Sequence, residues 1–174
     1  EWSIDVFKTN RENSKRSMEE ISADNAKIVA QYKSMQAELH DLAEYYRSLG
    51  YSDTDELVRN LSDKWREYQE EIESVYDSLS QAFEDYIAES DQQIKALERT
   101  TGTAGQQMEL YTKRIEEARK AIAELEKTNA GGINDERIWA IQDQIWADED
   151  AKKEIQEGLW DELVNAVDKE FDKR

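Results

Sequence analysis

No proline occurs anywhere in this 174-residue chain. Because proline cannot continue an α-helix and marks many turns, its absence leaves glycine as the main helix breaker. Five of the six glycines lie at Gly50, at Gly102 with Gly105, and in the sequence NAGGIND. They divide the chain into four predicted helices, at about residues 8–48, 54–99, 106–128 and 135–172.

Each predicted helix carries a stripe of apolar residues at steps of mostly three and four. The second helix shows it most fully, with Leu57, Leu61, Trp65, Tyr68, Ile72, Val75, Leu79, Phe83, Tyr86, Ile94 and Leu97. Steps that average about 3.5 residues predict a left-handed coiled coil, and short connections predict antiparallel neighbours. Hydrophobic residues make up only 38% of the chain, which is too little for a thick globular core but enough for such a stripe.

The predicted fold class is therefore all-α: an elongated antiparallel coiled coil of helical hairpins, built from about four helices of which two or three are long. Residues 1–101 form the first predicted hairpin and residues 102–174 the second, within one elongated unit. The chain begins without methionine and stops within its heptad pattern, and we expect it to be a fragment of a longer protein.

The stretch RIWAIQDQIW places Trp139 and Trp146 one heptad apart. Ile141 and Ile145 belong to the apolar stripe of this helix, whereas the two tryptophans lie beside the stripe and Trp160 continues their line. A stripe this wide exceeds the seam between two helices, so the rings are expected to cover a flank of a multi-helix bundle or to contact another subunit. The candidate packing or interface residues are Trp65, Tyr68, Trp139, Ile141, Ile145, Trp146, Trp160 and Val167.

The net charge of −18 argues against nucleic acids and anionic membranes as partners, because phosphate groups attract clustered Lys and Arg. No run of about 18 apolar residues is present that could span a membrane. The chain has no cysteine and a single histidine, His40, and Ala37 stands where a di-iron helix needs Glu. The acidic runs lack the EF-hand spacing of calcium ligands. No catalytic, cofactor-binding or metal-binding residue is predicted, and the chain is not expected to be an enzyme.

Two parts of the sequence carry a specific series of motifs. Residues 108–174 hold a Tyr-x-x-x-Ile step in a highly charged helix, a Gly-containing turn, Ile-Trp at heptad spacing and the closing segment EFDKR. Residues 48–72 hold a tyrosine-bearing Gly turn and then the step from Trp65 to Tyr68. Both parts resemble the coiled-coil portion of tail tape-measure proteins from phages and prophages of Gram-positive bacteria.

This resemblance implies a structural role in tail assembly, in which the helical span of the protein fixes how many rings of tail-tube subunits polymerise around it. It implies protein partners only: further copies of the chain, tail-tube subunits or other tail proteins, in a homo-oligomer or a folded-back bundle without a cofactor. The expected location is the virion tail, and the host bacterial cytoplasm during assembly. The alternative is a helical protein–protein interaction module of a bacterial surface, secretion or chromosome-organising protein.

Overall fold

The structure, a computed structural model, describes residues 18–172. This range contains four α-helices and no β-strand, so the all-α prediction is confirmed. The helices are α1 (Met18–Ser48), α2 (Glu56–Glu98), α3 (Ala104–Lys127) and α4 (Asp135–Phe171), with a 3-10 turn at Ala130–Gly132. Each helix end within the described range lies within about two residues of its predicted position, as expected where glycines release the backbone. The predicted start of the first helix, near residue 8, lies outside the described residues.

The first compact unit of the chain ends at Gln81 and contains the antiparallel pair formed by α1 and the beginning of α2. Asn25 of α1 donates from Nδ2 to the carbonyl of Val75 at 3.4 Å. Further along α1, Gln36 donates from Nε2 to the carbonyl of Trp65 at 3.2 Å. Residues later in α1 therefore contact residues earlier in α2, as antiparallel helices do. The buried apolar side chains of this unit include Ile28, Val29, Val58, Ile72, Val75 and Leu79.

The second compact unit begins at Ala82, so the division of the chain falls inside α2 and not at the turn near Gly102 where the predicted hairpins meet. The last turns of α2 belong to this second unit, where they contact α3. Asp91 in this part of α2 forms an ion pair with Arg114 of α3. The core of the second unit includes Phe83, Ile94, Ile115, Ala118, Ala121, Leu125, Ile141 and Ile145.

The turn between α3 and α4 is held by a buried asparagine, Asn134, which has no exposed surface. Its side chain donates from Nδ2 to the carbonyl of Leu125 at 3.0 Å, which satisfies an acceptor at the end of α3. Its backbone amide donates to Oδ1 of Asn129 at 2.7 Å. Gly131 and Gly132 adopt positive φ values of 70° and 77° within this turn. The reversal brings α4 back along α3 in the antiparallel direction.

Candidate protein-binding surface

One face of α4 is buried in the core of the second unit. Ile141 and Ile145 are each only 3% exposed, at the stripe positions that the sequence assigns to them. Nearby, Arg119 of α3 pairs with Glu149 of α4 at 3.1 Å, on the exposed side of the same contact. These two isoleucines therefore pack within the chain and are not available to another protein.

Trp139, Trp146 and Trp160, which we call the tryptophan line, lie on α4 beside this buried stripe and outside the core. Trp139, Trp146 and Trp160 are 64%, 58% and 65% exposed. Trp146 follows Trp139 by seven residues and Trp160 follows Trp146 by fourteen, so at 100° per residue the three rings lie within about 60° of one another and share one face. No described part of the chain covers them, although each ring presents a large apolar area.

The last turns of α4 expose a continuous apolar surface. Every side chain from Gln156 to Asp172 is exposed. Six of them are large and apolar and form what we call the α4 end face: Leu159, Trp160, Leu163, Val164, Val167 and Phe171. At 100° per residue they occupy an arc of about 140° around the helix. A contiguous apolar surface of this kind is a candidate for contact with another macromolecule.

Carboxylates border the α4 end face. Glu157, Asp161 and Asp168 fall within about 40° of each other on the helical wheel, next to Val164. The described residues from 156 to 172 contain six carboxylate side chains and one ammonium group, that of Lys169. The surface therefore carries carboxylates along one edge, beside Val164, and Glu170 falls within its arc, between the wheel positions of Leu159 and Leu163.

The two candidates in the first unit, Trp65 and Tyr68, take part in the packing of α1 against α2. The rings of Tyr68 and Tyr32 lie 5.5 Å apart between centroids, at 41°. Trp65 remains partly exposed and lines a shallow groove of about 220 Å³ together with Leu39, His40, Ala43 and Leu61. Tyr68 thus joins the two helices, whereas the Trp65 ring is available at the rim of a groove.

A buried charge cluster in the second unit was not among the predicted residues. Arg114 of α3 places Nη2 2.9 Å from Oδ1 of Asp148 on α4, and both side chains are 3% exposed. The other terminal nitrogen, Nη1, pairs with Asp91 on α2. Gln144 donates from Nε2 to the same Asp148 oxygen at 2.8 Å, and the Tyr111 ring lies 5.4 Å from the guanidinium carbon. One guanidinium therefore joins three helices.

Burial changes the acidity of groups in this cluster. Desolvation raises the pKa of Asp148 above its ordinary value, and the positive charge of Arg114 only partly offsets that effect. Desolvation likewise raises the pKa of Tyr111, against the opposing influence of Arg114. The low dielectric around the cluster disfavours any charge without a close counter-charge. Its role is consequently to position helices, since the side chains of Arg114 and Asp148 are almost fully buried against each other.

The sequence positions of Arg114 and Asp148 relative to the apolar stripes could have predicted this cluster. Asp148 stands three residues after Ile145 and seven before Ile155, at a position of the apolar stripe. Arg114 stands four residues before Ala118 in the corresponding stripe of α3. Opposite charges at stripe positions of two consecutive antiparallel helices indicate a buried ion pair, whereas each taken alone resembles a gap in the pattern.

Among residues 18–172, no group of three or more His, Cys, Asp or Glu side chains is arranged to hold a metal ion. No helix in this range combines the length and the apolarity that a transmembrane segment requires. In comparisons with known proteins, the chain matches no family model, no curated protein and no solved structure.

Proposed function

We propose that this chain is a structural segment of a phage or prophage tail tape-measure protein, which acts through helix–helix contacts and not through catalysis. The observation that carries the proposal is the α4 end face, an apolar helical surface that extends beyond the core of the second unit. A surface of this kind is stabilised by a protein partner. The sequence resemblance described above supports the assignment of that partner to a phage tail.

The helices have the lengths that such a role requires. Helices α2 and α4 contain 43 and 37 residues. At 1.5 Å per residue these correspond to about 65 Å and 55 Å, well above the usual length in globular proteins. We propose that the antiparallel pairs are coiled-coil hairpins that contribute their length to the tail, with assembly in the bacterial cytoplasm and a final location in the virion tail. The charge of −18 helps to keep such helices soluble before assembly.

The test is an in-frame deletion of this segment from its gene, followed by electron microscopy of released particles. A single continuous helix of 174 residues would contribute about 260 Å of tail length. Because α1 with α2 and α3 with α4 run antiparallel within the described residues, we expect the deletion to shorten tails by clearly less than this value.

The matched control replaces the segment with an unrelated antiparallel helical hairpin of the same helix lengths. If the segment contributes length alone, this replacement restores the tail. Tails of normal length after the deletion would contradict the proposal. A control that assembles only shortened tails would show that the contacts of the segment, and not its length alone, are needed for the tail.

The second candidate is an interaction module of a bacterial surface, secretion or chromosome-organising protein. The exposed tryptophan line favours it, because three large rings on one face are typical of a binding surface with a few dominant residues. Replacement of Trp139, Trp146 and Trp160 by alanine would then release one defined partner in an affinity purification. The same replacement would leave phage particles unaffected.

A further inference from the structure

The α4 end face has the spacing of a helix–helix seam. Leu159, Leu163, Val167 and Phe171 follow one another at steps of four, and Trp160 and Val164 widen the same stripe. All six side chains are exposed, and they extend over about 18 Å of helix axis. An apolar stripe of three turns matches the footprint of one further amphipathic helix laid along α4.

The charges along the edge of this face decide between possible occupants. Glu157, Asp161 and Asp168 line one edge, and the nearest cation of Glu157 is the exposed Lys153 ammonium, 3.9 Å away. In a parallel pair of α4 helices this acidic edge would face the opposite edge of the other copy, which carries Glu162 and Glu170 against the one cation Lys169. In an antiparallel pair Asp161 would approach Asp168 of the other copy, so both arrangements bring like charges together. A second copy of this chain is therefore disfavoured.

We propose that the α4 end face binds a basic amphipathic helix, in which an apolar stripe is flanked by Lys or Arg side chains. The apolar stripe of the partner would pack along Leu163 and Val167, while its cations would face the acidic edge. Charges at the positions that flank a helix seam select the partner and its orientation. This inference deepens the proposed function, on which it rests for the statement that the partner is a tail protein.

The experiment uses the full chain and two synthetic helical peptides of about three heptads. Both peptides carry leucine at the seam positions; one carries lysine at the flanking positions and the other carries glutamate. Isothermal titration calorimetry at moderate salt measures the two dissociation constants. We expect the lysine peptide to bind at least about tenfold more tightly than the glutamate peptide, with a difference that shrinks as salt is added.

Three variants locate the site. The double variant Leu163→Ala with Val167→Ala removes the centre of the apolar stripe. We expect it to raise the dissociation constant of the lysine peptide by at least about tenfold. Asp161→Lys with Asp168→Lys is expected to reverse the preference in favour of the glutamate peptide. Asn165 lies on the opposite side of the helix, so Asn165→Ala is expected to leave both dissociation constants within about twofold of their wild-type values. Circular dichroism confirms equal helix content for all three.

Equal binding of the two peptides, or no binding of the lysine peptide, would overturn the proposal. A chain that sediments as a dimer, and becomes monomeric with Leu163→Ala and Val167→Ala, would identify a second copy as the occupant and also overturn it. Loss of peptide binding in Trp139→Ala with Trp146→Ala, without loss in the Leu163 and Val167 variant, would move the site to the tryptophan line. Normal tails after the segment deletion would contradict the tail assignment without affecting the peptide measurement, so the two failures are distinguishable.

Discussion

Arg114 of α3 and Asp148 of α4 form an ion pair inside the second unit, with Nη2 2.9 Å from Oδ1 and both side chains 3% exposed. Taking two charges out of water is costly, and their attraction offsets this cost only where the pairing geometry is good. Arg114 Nε and Asp148 Oδ2 are buried and have no hydrogen-bond partner among residues 18–172. The pair is therefore more a device that aligns α3 with α4 than a large source of net stability.

Replacement of the arginine alone, in Arg114→Met, leaves the buried Asp148 carboxylate without its cation. We expect the free energy of unfolding to fall by about 3–5 kcal/mol. Urea denaturation followed by circular dichroism measures this loss. The double variant Arg114→Met with Asp148→Leu removes both charges, and we expect it to recover most of the loss. Additive losses in the double variant would show that the pair stabilises the fold through more than charge neutralisation.

The raised pKa of Asp148 predicts a specific dependence of stability on pH. The folded state binds this proton more tightly than the unfolded state, so the associated stability is fully present below the ordinary pKa of 3.8. It is lost as the pH rises through the raised pKa of the folded state. We therefore expect the unfolding free energy of the wild type, minus that of Asp148→Asn, to decrease with rising pH in that window. Denaturant titrations between about pH 3 and pH 7 measure it, and a difference that does not change with pH would contradict the prediction.

Asn134→Ala removes the side-chain bond that joins the turn to the end of α3. The Leu125 carbonyl would then lose the bond from the fully buried Asn134 and keep those from Thr128, and we expect a loss of about 0.5–1.5 kcal/mol. Asn165→Ala is the matched control, because Asn165 is exposed on α4 and its replacement should change stability by no more than about 0.5 kcal/mol. Thermal unfolding of both variants provides the comparison. Equal effects would show that the bond from Asn134 contributes little.

Replacement of glycine by alanine is expected to change stability in opposite directions at Gly132 and Gly158. At Gly132 φ is 77°, and an added Cβ would lie 2.7 Å from Oδ2 of Asp135. Gly132→Ala is expected to destabilise the turn by more than about 1 kcal/mol. Gly158 lies within α4 with open space around it, so Gly158→Ala should stabilise the helix by about 0.5–1 kcal/mol. Melting temperatures that move in the same direction for both variants would contradict these expectations.

The adjacent residues Ile145 and Trp146 allow the effect on stability of removing a buried side chain to be compared with that of removing an exposed one. Ile145→Ala opens a cavity in the core, and we expect it to cost about 2–5 kcal/mol. Trp146→Ala removes a larger side chain, but one that is mostly in water, and we expect a change of less than about 1 kcal/mol in the isolated chain. Urea denaturation of the two variants measures both values. A large loss in Trp146→Ala would mean that the ring is covered in solution, for example by another copy.

Helix positions followed from the sequence because they depend on local chemistry. The absence of proline and the placement of glycine act on the backbone within a few residues, and α2 and α4 begin and end close to their predicted bounds. The phase of the stripe likewise identified Ile141 and Ile145, since heptad spacing is a property of a single helix.

Only the tertiary structure decided which stripes meet and which stay exposed. The burial of Asp148 depends on Arg114, which is 34 residues away in sequence and reaches it because α3 and α4 run antiparallel. The same packing leaves Trp146, beside the buried Ile145, facing away from the core. It also places the division between the two units inside α2, because the end of that helix pairs with α3 through Asp91. Burial is a relation between helices, and a pattern within one helix does not specify its neighbours.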